Sequence, residues 1–253
     1  MGYKEVTLIA QNVNSYVSLP KDKTGNRIDF ADLLKEVDNL SGDFWIRFAT
    51  SHPKDMSDKL IEVIANSQKI CRHIHLPAQS GDDRILEDMN RSYTRRHYLE
   101  LVGKIRSNIT NVSLTTDIIV GFPGETAKQF RYTKDLFEQV RFDMAYIAQY
   151  SPRPGTVAAG WKDDVPNEEK KKREEELMKI LRVTAYENNE QYLKKKVKVL
   201  LEGKNKKGEY YGRTDTNKNV KIVSGKESDL KKGKFVKVLI KEVQDFGLKG
   251  FLL

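Results

Sequence analysis

The sequence predicts an α/β protein: a partial, open parallel β/α barrel followed by a small all-β, OB-like barrel. Three observations predict it. Over the first 150 residues, short apolar β-prone runs alternate with segments of helical periodicity, and each run breaks into a loop rich in Asn, Ser, His, Gln, Asp, Gly and Pro. From Lys196 onward the helical period disappears, and short alternating segments follow one another between Gly and Asn-Lys turns. The net charge of +9 is also segregated. The last 61 residues hold 17 Lys and Arg against 7 Asp and Glu, a balance of +10, which leaves −1 for residues 1–192.

The five expected strands are Val6–Ala10, Phe44–Ala49, Ile70–Leu76, Val112–Val120 and Met144–Tyr150. The first intervening helix is read over Ile28–Leu40 from Ile28, Leu33, Leu34, Val37 and Leu40. The next two are read over Met56–Ala65 and Ser92–Ile105. After Glu125, Thr126 and Gln129 form a capping-box pattern that opens a helix whose apolar face is Phe130, Phe137 and Val140. Strands alternating with helices imply parallel βαβ units with right-handed crossovers. The polar loops at the strands' carboxyl ends then converge on one site. A long charged helix over Asn167–Lys195 bridges to the second part, its outer face laced with i,i+4 pairs. The division is placed between residues 192 and 193. Beyond it, VKVLLEG, GEYYGRT, NVKIVSG, GKFVKVLIKEV and GLKGFLL are read as the strands of the small barrel.

Composition excludes several classes. No apolar run reaches the length of a spanning helix, no signal-peptide pattern precedes the first strand, and a cytoplasmic location is expected. A single cysteine, Cys71, rules out an intramolecular disulfide framework. TTDIIVGFPGE has neither the glycine spacing of a dinucleotide fold nor the lysine of a P-loop. His73 and His75 share one face of a strand by its period of two, but no third or fourth ligand stands at a recognisable spacing. Asp117, among apolar neighbours, needs a partner or a ligand, and both readings stay open. The basic tail suggests a polyanion-binding module, with a solubilising lysine surface as the alternative.

The blocks AQNVNSY, RFATSHPKD, HIHLPAQSGDDRILEDMNR, TTDIIVGFPGET and YSPRPGT, in this order, resemble the MiaB-type tRNA methylthiotransferases of the radical S-adenosylmethionine superfamily. The carboxyl-terminal segment resembles a TRAM domain, a small RNA-binding barrel. The resemblance covers essentially the whole chain. It implies methylthiolation at carbon 2 of the N6-isopentenyl adenosine next to the anticodon, with tRNA, through its anticodon stem-loop, as partner. It also implies S-adenosylmethionine and two [4Fe–4S] clusters in the full-length parent. One cluster sits on a C-x-x-x-C-x-x-C loop and the other on three cysteines of an amino-terminal domain. Clusters are held by cysteine thiolates, and Cys71 does not stand at a cluster position of the family pattern. The first barrel strand, its cluster loop and the upstream domain are therefore expected to be missing. The chain is expected to be inactive alone, to hold no catalytic residue, and to bind no cofactor or metal stably. An open barrel edge is expected to favour self-association.

By position, Asn12, Ser51, Gln79, Asp117 and Arg153 are expected to line the cofactor and substrate cavity. Lys198, Arg213, Lys221, Lys237 and Lys241 are the candidate phosphate contacts, with Tyr210 or Tyr211 as a stacking surface. Two alternatives stand beside this reading. One is a cluster-free RNA-binding protein with a degenerate form of the fold. The other is a methylthiotransferase of the threonylcarbamoyl-adenosine or ribosomal-protein branch.

Overall fold

The computed structural model describes residues 2–19, 27–223 and 230–253. Five parallel strands follow one another in chain order: β1 (Glu5–Leu8), β2 (Trp45–Phe48), β3 (His73–His75), β4 (Ser113–Val120) and β5 (Met144–Gln149). β1 pairs with β2, and β3, β4 and β5 form a second ladder. A bridge between Ile46 and Ile70 joins the two. The expected strand Ile70–Leu76 thus splits. Around Ile70 its backbone bonds β2, with the Ile46 N–H donated to Lys69 O and the Cys71 N–H to Ile46 O. From His73 onward it bonds β4.

Helices α1 (Phe30–Asp38), α2 (Asp58–Asn66), α3 (Asp83–Asp88), α4 (Arg95–Asn108), α5 (Ala127–Val140) and α6 (Asn167–Glu190) follow the strands. Their starts are chemical. Thr126 and Gln129 close the capping box expected for α5. The Thr94 hydroxyl accepts from the His97 N–H, so α4 begins at Arg95 rather than Ser92. α3 is absent from the sequence reading because six residues are too few to show a period. The Asp82 carboxylate sets it by accepting from the Arg84 and Ile85 N–H groups. The face of β4 that carries Leu114, Ile118 and Val120 is buried under Ile105, Phe137 and Leu177. Each such side chain contributes about 1.5–3 kcal/mol by leaving water. Gly81 lets α5 come close, since a Cβ there would lie 2.3 Å from the Tyr132 carbonyl oxygen.

The second part is a closed barrel of β6 (Lys196–Lys204), β7 (Tyr210–Arg213), β8 (Asn219–Val223), β9 (Phe235–Gln244) and β10 (Gly247–Leu252), in the order β10-β8-β7-β6-β9. Closure leaves no strand edge unpaired. Its own core holds Val199, Val220, Val238 and Ile240.

The turn between β7 and β8 lies against the amino ends of the parallel strands. Lys218 Nζ stands 2.6 Å from Asp143 Oδ1, with both side chains more than nine-tenths buried. The other carboxylate oxygen of Asp143 accepts from the Leu114 N–H at 2.9 Å. Arg47 donates to the Thr214 carbonyl at 2.8 Å and to Glu5 at 2.6 Å, and Arg213 bonds Glu5 and Glu202. Trp45 meets Phe235 edge-on at 4.7 Å. From the end of α6, Asn189 donates to the Gln244 and Asp245 carbonyls.

Removing one member of a buried pair leaves an uncompensated charge, which costs about 3–5 kcal/mol. Lys218→Met is therefore expected to lower stability by that order in urea unfolding. The double variant Lys218→Met/Asp143→Leu should recover part of the loss, since the Leu114 amide still lacks its acceptor. A single-variant cost below about 1 kcal/mol would contradict the buried pairing.

Candidate functional site

By the period of two, the inward face of the sheet carries His73 and His75 from β3, Thr115, Asp117 and Ile119 from β4, and Tyr146 and Ala148 from β5. Four of these form a chain along the barrel axis. Thr115 Oγ1 lies 3.1 Å from His73 Nε2 and 3.0 Å from His75 Nδ1, and His75 Nε2 lies 3.4 Å from Asp117 Oδ2. The hydroxyl has one proton, so it donates to one imidazole and accepts from the other. Desolvation, reinforced by Arg47, His75, Arg213 and Lys218, pulls the pKa of His73 down to about 3. It is a neutral hydrogen-bonding group at ordinary pH.

Two cavities open on this face. A lower one of about 540 Å³ is walled by His75, Thr115 and Tyr146, and its floor is supplied by Arg213, Asn217 and Asn219 around the β7–β8 turn. An upper one of about 520 Å³ lies at the carboxyl ends of β4 and β5. Its wall is Ile119, Phe122 and Ala148, and its charged lining is Arg91, Arg153 and Asp88.

The loops after β4 and β5 are fixed from below by α6. Glu125 accepts from the Gly121 N–H at 2.6 Å and from Arg173 at 2.8 Å. Lys170, 1% exposed, bonds both Asp163 oxygens and the Tyr150 carbonyl. Gly121 has φ +69°, and a Cβ there would stand 2.3 Å from Lys170 Cγ. Burial raises the pKa of Glu125 despite these bonds, and its Oε1 has no partner among the described residues.

The positions expected from sequence are now placed. Gln79 is buried with φ +67°. Its N–H donates to Asp117 O and its carbonyl accepts from the Ile119 N–H, which locks it beside Asp117 at the end of β3. Ser51 is 2% exposed, its N–H reaches His75 O at 3.3 Å, and its hydroxyl has no partner among the described residues. Asn12 is exposed at the rim and makes no side-chain cap. The buried amide is its neighbour Asn14, which bonds the His52 backbone on both sides. Arg153 is exposed and lines the upper cavity rather than the lower.

The expected RNA contacts differ in exposure and pairing. Tyr210 is 7% exposed inside the small barrel and has no face to offer a base, whereas Tyr211 is 38% exposed. Lys198 is held by Asp43 at 3.0 Å and sits over the Phe235 ring at 3.9 Å. Arg213 is committed to Glu5 and Glu202. These two cations pair across the two parts of the protein, the Lys198 side chain staying half exposed. Lys221, Lys237 and Lys241 are exposed. Lys221 stands in register between Tyr211 of β7 and Lys249 of β10.

Among the described residues, no group of three His, Cys, Asp or Glu could hold a metal ion, and no helix is long and apolar enough to cross a membrane. Cys71 is buried beside Trp45 and Leu200, and burial pushes its thiol up to about 12. Sequence reasoning missed Arg47, Arg91, Thr115, Tyr146 and Lys218. Thr115 was within reach, standing one strand period before Asp117. The others depend on tertiary packing.

Residues 1–137 match the model of the radical SAM superfamily, and residues 190–253 match that of the TRAM domain. The chain belongs to the radical SAM superfamily. Among curated relatives, it is 49% identical to a tRNA-2-methylthio-N(6)-dimethylallyladenosine synthase of Carboxydothermus hydrogenoformans, over 100% of this chain and 56% of that protein. It is 47% identical to the protein of the same name from Acetivibrio thermocellus, over 100% of this chain and 52% of that protein. The chain thus spans about half the length of the curated relatives it matches. Among solved structures, coproporphyrinogen III oxidase of Escherichia coli, a radical SAM enzyme, aligns with a TM-score of 0.49 at 16% identity, covering 73% of this chain and 50% of that one.

The folded pKa of His73 lies below its unfolded value of about 6.5. The unfolded state therefore binds more protons between about pH 6.5 and 3. Stability contributed by neutral His73 is full above 6.5 and is lost as pH falls through that window. Because the imidazole keeps some surface open to the cavity, the loss should stay under about 1.4 kcal/mol per pH unit. NMR of the imidazole carbons is expected to show no titration of His73 above pH 5; a midpoint near 6.5 would contradict its burial among cations.

Proposed function

We propose that this chain is the barrel and RNA-binding part of a tRNA methylthiotransferase that modifies carbon 2 of an N6-dimethylallyl adenosine beside the anticodon. Residues 1–192 are the barrel portion, and residues 193–253 are the module that engages the anticodon stem-loop. The single observation that carries the reading is the identity of 47–49%, along the whole chain, to synthases of that name. The location is proposed to be the cytoplasm, where tRNA is found.

S-adenosylmethionine fits the upper cavity. Ile119, Phe122 and Ala148 give an adenine ring apolar surface, and Asp117, one strand period below Ile119 and outside the cavity's lining, is suited to ribose hydroxyls at its border. Arg153 and Arg91 are suited to a carboxylate, and Arg91 Nε is buried without a partner among the described residues. When bound, this cofactor would supply a methyl group to a nucleophile, or a carbon radical if a one-electron donor reduced it. The chain's own groups bind and orient it: Gln79 and Asp117 are fixed by the β3–β4 backbone, and the loops after β4 and β5 are held by Lys170 and Arg173. A [4Fe–4S] cluster does not fit these residues, because one buried thiol cannot supply its ligands. The chain alone is proposed to be inactive and cluster-free. The strand β1, unpaired on its outer side among the described residues, with exposed Val6 in it and exposed Ile9 just after it, is proposed to associate with a second copy at high concentration.

The single buried Cys71 also favours a second reading, a cluster-free RNA-binding protein. A C-x-x-x-C-x-x-C motif encoded in frame upstream would decide for the enzyme.

Binding of anticodon stem-loop RNA across a salt series tests the RNA assignment. With several phosphates neutralised, the log–log slope should be about −0.7 per contact. Lys221→Glu/Lys237→Glu/Lys241→Glu should weaken binding and flatten the slope, leaving the melting temperature within a few degrees. Equal affinity and slope in the variant would mean these lysines are only a solvated surface.

A further inference from the structure

We propose that the lower cavity seats an uncharged heteroaromatic base of the bound RNA, and that the TRAM module itself reads it through Asn217 and Asn219. This rests on the reading of the chain as an RNA-modifying protein, and it gives the module a role beyond holding phosphates.

Charge selects the class of ligand. Every ion lining the lower cavity is already matched inside the protein: Lys218 by Asp143, and Arg213 by Glu5 and Glu202. A phosphate or carboxylate entering here would have to break one of these pairs. A neutral ligand would not. His73, held neutral, adds a hydrogen-bonding group without charge.

Among the described residues, the Asn219 side chain has no hydrogen-bond partner, and the Asn217 amide uses only its oxygen, which accepts from Arg213 at 2.9 Å. An Asn amide offers one donor edge and one acceptor, the combination that matches the edge of adenine. Across the cavity, the Tyr146 ring is 61% exposed and meets His75 only edge-on at 6.1 Å, so a face is open for stacking. A volume of about 540 Å³ is ample for a nucleoside.

Asn219 and Lys221 are two residues apart on β8 and both exposed. They pair with Arg213 and Tyr211 of β7. Backbone contacts along Lys221 and Tyr211 therefore lead straight to the amide at the cavity floor. From Thr115 to Ile119 is four strand residues, about 13 Å. A base in the lower cavity thus lies directly beneath a ligand in the upper one.

The test uses the full 253-residue chain and the nucleoside N6-dimethylallyl-adenosine, which carries no phosphate. The chain has four histidines, so imidazole NMR separates the cavity pair from His52 and His97. Titration should shift His73 and His75 and leave His52 and His97 unmoved. Asn219→Ala should weaken the nucleoside about fivefold or more with an unchanged melting temperature. Asn217→Gly, whose backbone at φ +61° suits glycine, is the second variant should the first lose stability. The 5′-monophosphate should bind no tighter than the nucleoside. Absence of shifts at His73 and His75, tighter binding of the monophosphate, or full affinity in both variants would overturn the proposal. Binding of stem-loop RNA, measured alongside, separates the two levels. Salt-dependent RNA binding with a silent cavity removes only the base assignment, whereas loss of both removes the RNA reading as well.

Discussion

The buried pair Lys218–Asp143 is the contact on which the arrangement of the whole molecule depends. Asp143 ends the loop that feeds β5, and its second oxygen holds the Leu114 amide near the start of β4. Lys218 closes the turn between two strands of the small barrel. One carboxylate thus ties the register of the parallel sheet to the position of the TRAM module. Burial makes the tie stringent, because neither charge has water to fall back on. Around it, Arg47, Glu5 and Arg213 form a second polar ring, and Trp45 with Phe235 supplies an apolar flank.

A second set of buried cations works at the other end. Lys170 and Arg173 project from α6 into the loops that follow β5 and β4, where polar backbone would otherwise lack partners. In the last turn of the same helix, Asn189 grips the β9–β10 turn. Helix α6 therefore links the loops at the upper cavity to the module that closes the lower one. That linkage couples the position of the upper loops to that of the TRAM module.

Much of this was legible in the sequence. The five strands lie within a few residues of the apolar runs, the capping box at Thr126 is present, and the last 61 residues hold a barrel where the helical period stops. What escaped has a common cause. Charge counts cannot distinguish a free lysine from a paired one, so Lys198 and Arg213 read as phosphate contacts although both hold the two parts together. A period of two put His73 and His75 on one face but could not show that Thr115, on the next strand, joins them. Tyr210 and Tyr211 are adjacent and chemically alike, and only the barrel's closure decides that the first points inward. Lys218 sits in a turn of ordinary composition, and nothing local marks it as the partner of a residue 75 positions away.

The TRAM module completes the floor of the barrel through this pair. Amide hydrogen exchange tests it most directly, comparing the chain with its Lys218→Met variant. The Leu114 amide, held by Asp143, and the Lys218 amide, held by the Thr214 hydroxyl, should lose protection together in the variant, while Val199 and Val238 in the small barrel's core stay protected. Unchanged protection at Leu114 in the variant would contradict the claim, because it would mean that the floor of the parallel sheet stands without the module.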